Sequence, residues 1–123
     1  MIAQLRGKIV EKTPTNVIID CGGVGYNVKI SLYSFGQIKE EKELTLLTEF
    51  IVREDAQLLY GFMENEEREM FRHLISVSGI GPNTAMIMLS SMTPVEIINA
   101  IIGEDVNAIK SVKGIGLKTA QRV

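Results

Sequence analysis

The sequence is poor in the side chains from which catalytic and metal centres are built. It holds one cysteine and one histidine in 123 residues. A single Cys21 excludes an internal disulfide framework and fits a reducing cytoplasm. It falls in a predicted strand, where a thiol serves as a small buried apolar group. His73 stands beside the apolar stripe of a predicted helix, and with no second histidine a Cys/His metal cluster cannot form. No glycine-rich loop ending in Lys-Ser or Lys-Thr follows a strand, so a nucleotide-phosphate loop is excluded. Aromatic residues are few (Tyr26, Tyr33, Phe35, Phe50, Tyr60, Phe62 and Phe71), and most fall where a strand would bury them. No apolar run is long enough to span a bilayer. The opening residues Met1 to Arg6 lead into a strand pattern rather than a signal peptide, so a cytoplasmic location is expected.

Net positive charge is also lacking: the formal total is −2. Its distribution is uneven. Residues 1–63 carry seven basic and eight acidic side chains, and residues 64–106 carry two and seven. Residues 107–123 carry four basic side chains and no acidic one: Lys110, Lys113, Lys118 and Arg122. A polyanion would meet positive charge only near the end of the chain.

What is present divides at about Met63. Residues 1–63 read as strands. Ile2 to Val10 alternates and contains Gly7, expected to mark a bend or bulge. Asn16 to Asp20 follows the turn residues Thr13-Pro14-Thr15. Cys21-Gly22-Gly23-Val24-Gly25 supplies a tight hairpin into Tyr26 to Ile30. Leu32 to Ile38 suits a short helix or a loop. Leu44 to Arg53 and Gln57 to Phe62 flank a turn at Glu54-Asp55-Ala56. Five strands with one interruption fit a five-stranded Greek-key barrel of the OB type, with a small SH3-like barrel as the rival.

Residues 64–123 read as all-α. Asn65 is placed to cap a helix whose first turn holds Glu66 and Glu67, near the positive end of the dipole. Met70, Phe71, Leu74 and Ile75 then form one apolar stripe. Thr93-Pro94-Val95-Glu96 is a capping box with proline at the first helical position, opening a helix that stops at Gly103. Asp105 is placed to cap a further helix with Val106, Ile109 and Val112 on one face.

The chemistry lies in a repeat. Leu74 to Ala85 aligns with Ile109 to Ala120 at an offset of 35 residues, with seven of twelve positions identical. Each copy reads helix, Gly-Ile-Gly, helix, a duplicated supersecondary unit. The first glycine admits a left-handed turn. The isoleucine turns inward and pins the hairpin. The second glycine lets a phosphate approach the backbone, and the next helix offers it N–H groups and a positive dipole end. Such a site binds an anion without net positive charge. One Gly-x-Gly at a helix end is often only a cap, but two copies with matching flanks indicate more. The candidate DNA-binding residues are Gly79, Gly81, Asn83 and Thr84 in the first copy, and Gly114, Gly116, Lys118, Thr119 and Arg122 in the second. Asn83 stands where the second copy has Lys118, so the first should be the weaker electrostatic partner.

Two other functions compete. A DNA glycosylase follows such a hairpin with a catalytic aspartate, and Asp105 lies at a plausible distance. It makes a better helix cap, the hairpin lacks a lysine partner, and the chain is short for a base-flipping pocket. A single-strand binder would stack bases on exposed barrel aromatics, of which the sequence offers few.

Several segments resemble the RuvA family, the Holliday-junction-recognition subunits of bacterial branch migration complexes. They are Met1-Ile2-Ala3-Gln4-Leu5-Arg6-Gly7, Gly22-Gly23-Val24-Gly25-Tyr26, Val52 to Phe62, Gly79-Ile80-Gly81-Pro82 and Gly114 to Ala120. The resemblance implies an OB barrel followed by tandem helix-hairpin-helix motifs, and a non-catalytic subunit that holds a four-way junction open in recombination, DNA repair and the SOS response. It implies a flat homotetramer, which a second tetramer can cover. It implies as partners the ATPase motor RuvB and the resolvase RuvC, and no cofactor, since ATP is consumed by the motor. Glu54 and Asp55 would form an acidic pin directed at the centre of the plate. Family members continue past Val123 into a motor-binding domain, so this chain is expected to be a fragment that lacks it.

Overall fold

A computed structural model describes residues 1–38 and 42–103. The chain divides into two compact units, Met1–Arg68 and Glu69–Val123. The expected helix after Asp105 and the second Gly-Ile-Gly hairpin lie outside the described residues.

The first unit is a closed barrel. Its strands are β1 (Gln4–Lys12), β2 (Asn16–Cys21), β3 (Val24–Ile30), β4 (Glu43–Val52) and β5 (Gln57–Phe62), with helix α1 (Leu32–Gln37) between β3 and β4. They run round the barrel in the order β1-β2-β3-β5-β4, closed by antiparallel pairing of β1 with β4. β3 and β5 are parallel, and every other neighbouring pair is antiparallel. This is an OB-like arrangement, the first of the two barrels expected. Alternation along the strands turns Leu5, Val17, Ile19, Val28, Leu46 and Leu59 into the interior. Each such side chain contributes roughly 1.5–3 kcal/mol by leaving water. The Gly22-Gly23 turn has positive φ at both residues, 65° and 101°, as a two-residue hairpin with right-handed strand twist requires.

Three expectations for this unit change. β1 begins and ends two residues later than its alternation suggested. Gly7 is not the bulge: the β1–β2 register slips between Ile9 and Glu11. Gly7 is needed for close approach instead, because a Cβ there would lie 2.2 Å from the carbonyl oxygen of Asp20 on β2. Asn65 does not precede helix α2 (Asn65–Ile75) but opens it, and its side-chain oxygen accepts from Arg68 Nη2 at 2.9 Å.

In the second unit α2 continues to Ile75 and is followed by α3 (Pro82–Ser91) and α4 (Pro94–Ile102). Met70, Phe71 and Leu74 are buried, as the stripe predicted, and Ile75 is half-buried. His73 is exposed. The Thr93 capping box forms in full: Glu96 N–H donates to Thr93 Oγ1 at 3.2 Å, and Thr93 N–H donates to Glu96 Oε1 at 3.0 Å. That donated bond holds the Glu96 carboxyl below its ordinary range. α4 ends at Gly103, as expected.

Candidate nucleic-acid interface

The first hairpin is built by local forces that the sequence displays. After Ile75 the chain tightens, with Ser76 N–H donating to His73 O and Val77 N–H to Leu74 O at 3.2 and 3.1 Å. Gly79 then reverses the chain at φ 94°, in the left-handed region that favours glycine. It stands within the hairpin, after Ser76-Val77-Ser78, rather than at the helix end itself. Ile80 turns inward and is 4% exposed, and its N–H donates to Val77 O at 3.1 Å. Gly81 is extended, with φ −87° and ψ 174°, and its carbonyl accepts the Ala85 N–H that opens α3. Pro82 follows at the first helical position, where no N–H is missed.

The result is a helix start whose N-cap residue, Gly81, supplies no side-chain hydrogen bond and whose first turn contains no acidic residue. The other two described helices of this region carry carboxylates there: Glu66 and Glu67 in α2, Glu96 in α4. A Cβ built on Gly81 would meet nothing within 4 Å. Gly81 and Asn83 are exposed and Thr84 is half-buried, while Ala85 is fully buried beneath them. Backbone N–H groups, a positive dipole end and an open glycine face thus occur together, a combination suited to a phosphate. Gly114, Gly116, Lys118, Thr119 and Arg122 lie outside the described residues.

On the barrel, Glu54 and Asp55 occupy the tip of the β4–β5 hairpin. Val52 pairs with Gln57, Arg53 N–H donates to Ala56 O at 2.7 Å, and both carboxylates are exposed. No aromatic side chain stands fully exposed. Tyr60, Phe62 and Phe71 are fully buried, and Tyr26, Tyr33, Phe35 and Phe50 are half-buried. This weighs against the single-strand reading. Among the described residues no group of three or more His, Cys, Asp or Glu side chains could hold a metal ion. Among them also, no single helix is long and apolar enough to cross a membrane.

One polar cluster escaped the sequence reading. Both first-turn acids of α2 were read only as favoured by the helix dipole; Glu66 is exposed, but Glu67 is 0% exposed. Ser31 Oγ donates to Glu67 Oε2 and Ser34 Oγ to Glu67 Oε1, each at 2.5 Å. Burial pushes the Glu67 carboxyl up, opposed by the two serine bonds, and neighbouring Glu64 adds to the rise. The signal was present: Glu67 precedes Met70, Phe71 and Leu74 at helical spacing, which puts a carboxylate on the apolar stripe.

Comparison with known proteins agrees with this geometry. Residues 1–61 match the family model described as the RuvA N terminal domain, and residues 71–123 match the SAM-like helix-hairpin-helix tandem. The second match spans both Gly-Ile-Gly copies. The chain is 57% identical over 122 residues to the Holliday junction branch migration complex subunit RuvA of Flavobacterium psychrophilum, covering 99% of this chain and 63% of that protein. It is 52% identical to the subunit of the same name from Cytophaga hutchinsonii, covering 100% of this chain and 62% of that protein. For the one from Acidovorax sp. the identity is 47%, with 100% and 65% covered. The chain therefore spans somewhat less than two thirds of the length of these relatives. Two successive domain matches, and identity of about half along its whole length, mean that the chain belongs to the RuvA family.

Proposed function

We propose that the chain is a non-catalytic DNA-binding subunit that grips the sugar-phosphate backbone of a four-way (Holliday) junction and holds it open and planar for ATP-driven branch migration. The observation that carries the reading is the first hairpin, with a left-handed Gly79, a buried Ile80 and an open Gly81 at the start of a ten-residue helix with no acidic residue in its first turn. Backbone amides recognise phosphate whatever the base sequence, so selectivity must come from the shape of the DNA. The relatives' name, Holliday junction branch migration complex subunit, supplies that shape. The second Gly-Ile-Gly copy, with Lys118 and Arg122, would grip a further stretch of backbone.

A four-fold plate of subunits matches the near four-fold symmetry of an open junction, and one or two such plates would serve. Glu54 and Asp55, exposed at a hairpin tip, would gather at its centre as an acidic pin that repels phosphate and helps part the strands. The motor RuvB would be reached through the region that the longer relatives possess, and RuvC would resolve the held junction. The work would take place in the cytoplasm, with no cofactor on this chain. Sedimentation with and without a synthetic four-way junction tests the assembly. Four or eight chains per junction are expected, and a complex of fewer than four would refute the plate.

A further inference from the structure

The short helix of the barrel unit has little of its own to hold it in place. α1 reads Leu-Tyr-Ser-Phe-Gly-Gln and contains no charged residue. A helix this short is not stable alone in water, so its surroundings must hold it. Apolar packing does part of this. Ile38, its C-cap, lies in the barrel core at 3% exposed, and Phe35 and Met63 pack against that core.

Ionisable side chains from outside the helix do the rest. Glu67 is fully enclosed, and its two oxygens accept from Ser31 Oγ and Ser34 Oγ, each at 2.5 Å. Both hydroxyls already accept a backbone N–H: Ser31 Oγ that of Ser34 at 3.1 Å, and Ser34 Oγ that of Met63 at 3.2 Å. Each hydroxyl proton is thereby left for the carboxylate. Glu64 accepts from Tyr33 Oη and from Gln37 Nε2. From β1, Lys12 Nζ donates to Ile38 O at 3.4 Å and lies 5.6 Å from the centre of the Phe35 ring. All of these residues belong to the first compact unit, Met1–Arg68.

These bonds differ in kind from those of the sheet. Every strand has two bonded neighbours in the closed barrel, so none can leave without breaking two ladders. α1 can move away by releasing side-chain contacts alone. Among those contacts the Glu67 pair weighs most. A carboxylate out of water is costly unless its acceptors are filled, and here two neutral hydroxyls, one from the cap of α1 and one from its second turn, fill them.

We propose that α1 is a releasable cover over the barrel core, with Glu67 as its catch: the helix opens and closes as a unit while the sheet stays intact, and Glu67 sets how much of the time it is shut. Opening would uncover the apolar interior beneath Phe35 and Ile38 without unfolding a strand, a local transition of lower free energy than global unfolding.

Amide hydrogen exchange of the full chain, read residue by residue by NMR, tests this. The amides of Ser34, Phe35 and Ile38 are all bonded within α1 and its cap. In wild type they should exchange faster than the paired amides of β3 and β4. Glu67→Gln keeps the side-chain shape but cannot accept both serine protons. It should raise exchange of those three amides about tenfold, the equivalent of losing roughly one charge-assisted hydrogen bond, and leave the strands unchanged. Ser34→Ala cuts the Oε1 arm and the bridge to Met63 but spares the Ser31 cap. It should give the same pattern, and it decides the matter where Glu67→Gln does not fold. Wild-type α1 amides that exchange as slowly as the strands would overturn the cover, because α1 would then open only with the whole barrel. Exchange unaltered in a folded variant, or raised equally in α1 and the strands, would overturn the catch.

Discussion

The two glycines of the first hairpin should respond to substitution in opposite ways, and the structure gives the sizes. Gly79 sits at φ 94°, where an L side chain is strained. Gly79→Ala should cost on the order of 1–2 kcal/mol of stability. Gly81 sits at φ −87°, ordinary for any residue, and a Cβ on it meets nothing within 4 Å. Gly81→Ala should leave the fold intact or raise its stability by about 0.4–1 kcal/mol, because the unfolded chain loses freedom. Gly81→Val should fold as well, since the space outside is open. Yet any side chain at Gly81 stands where the phosphate must approach. Losing hydrogen bonds to a charged partner costs roughly 1.5–3 kcal/mol, about a tenfold to hundredfold loss of affinity. Thermal denaturation, paired with titration of a labelled four-way junction, reads both quantities on the same samples. If Gly81→Val binds junction as tightly as wild type, the open glycine face is not a phosphate site. If it melts well below Gly79→Ala, the account of the turn is wrong.

Three other perturbations test other parts of the molecule. Gly7→Ala would place a Cβ 2.2 Å from Asp20 O, so it should destabilise the barrel by about 1–3 kcal/mol in chemical denaturation, and a neutral effect would contradict the β1–β2 packing. The Glu67 carboxyl is raised in the folded state, so the fold binds its proton more readily than the unfolded chain does. Stability should fall as pH rises from the ordinary carboxylate range through that raised value, and Glu67→Gln should lose this slope. Glu96, held below its ordinary range, has the opposite sign: its contribution is present above the ordinary value and is lost as pH falls through the lowered one, so the two separate on the pH axis. Glu54→Gln with Asp55→Asn should leave junction binding intact or tighter and raise duplex binding in a mobility-shift assay, whereas a large loss for junctions would mean that these residues hold DNA directly.

Much of this was legible in the sequence because it follows from periodicity and turn chemistry. Alternation placed all five strands to within two residues, and Gly22-Gly23 fixed the β2–β3 hairpin. The Thr93 capping box and Gly103 set both ends of α4. The Gly-Ile-Gly repeat anticipated the left-handed Gly79, the buried Ile80 and the open Gly81. What escaped depends on neighbours distant in sequence. Gly7 reads as a bulge from its own strand and shows its purpose only when β2 lies beside it. Glu67 reads as a first-turn acid favoured by the helix dipole, and its burial depends on Ser31 and Ser34, more than thirty residues earlier. Asn65 reads as a cap because its type prefers caps, while Arg68 engages its side-chain oxygen.

The central claim is that the hairpins read DNA by backbone and shape rather than by base sequence. The most direct measurement is competition: a labelled four-way junction bound by the chain, displaced by unlabelled junctions of scrambled arm sequence and by linear duplex of equal length. Scrambled junctions should compete equally with the original, and linear duplex should compete much more weakly, with both affinities falling as salt is raised. Displacement that depended on arm sequence, or duplex that competed as well as the junction, would contradict the account.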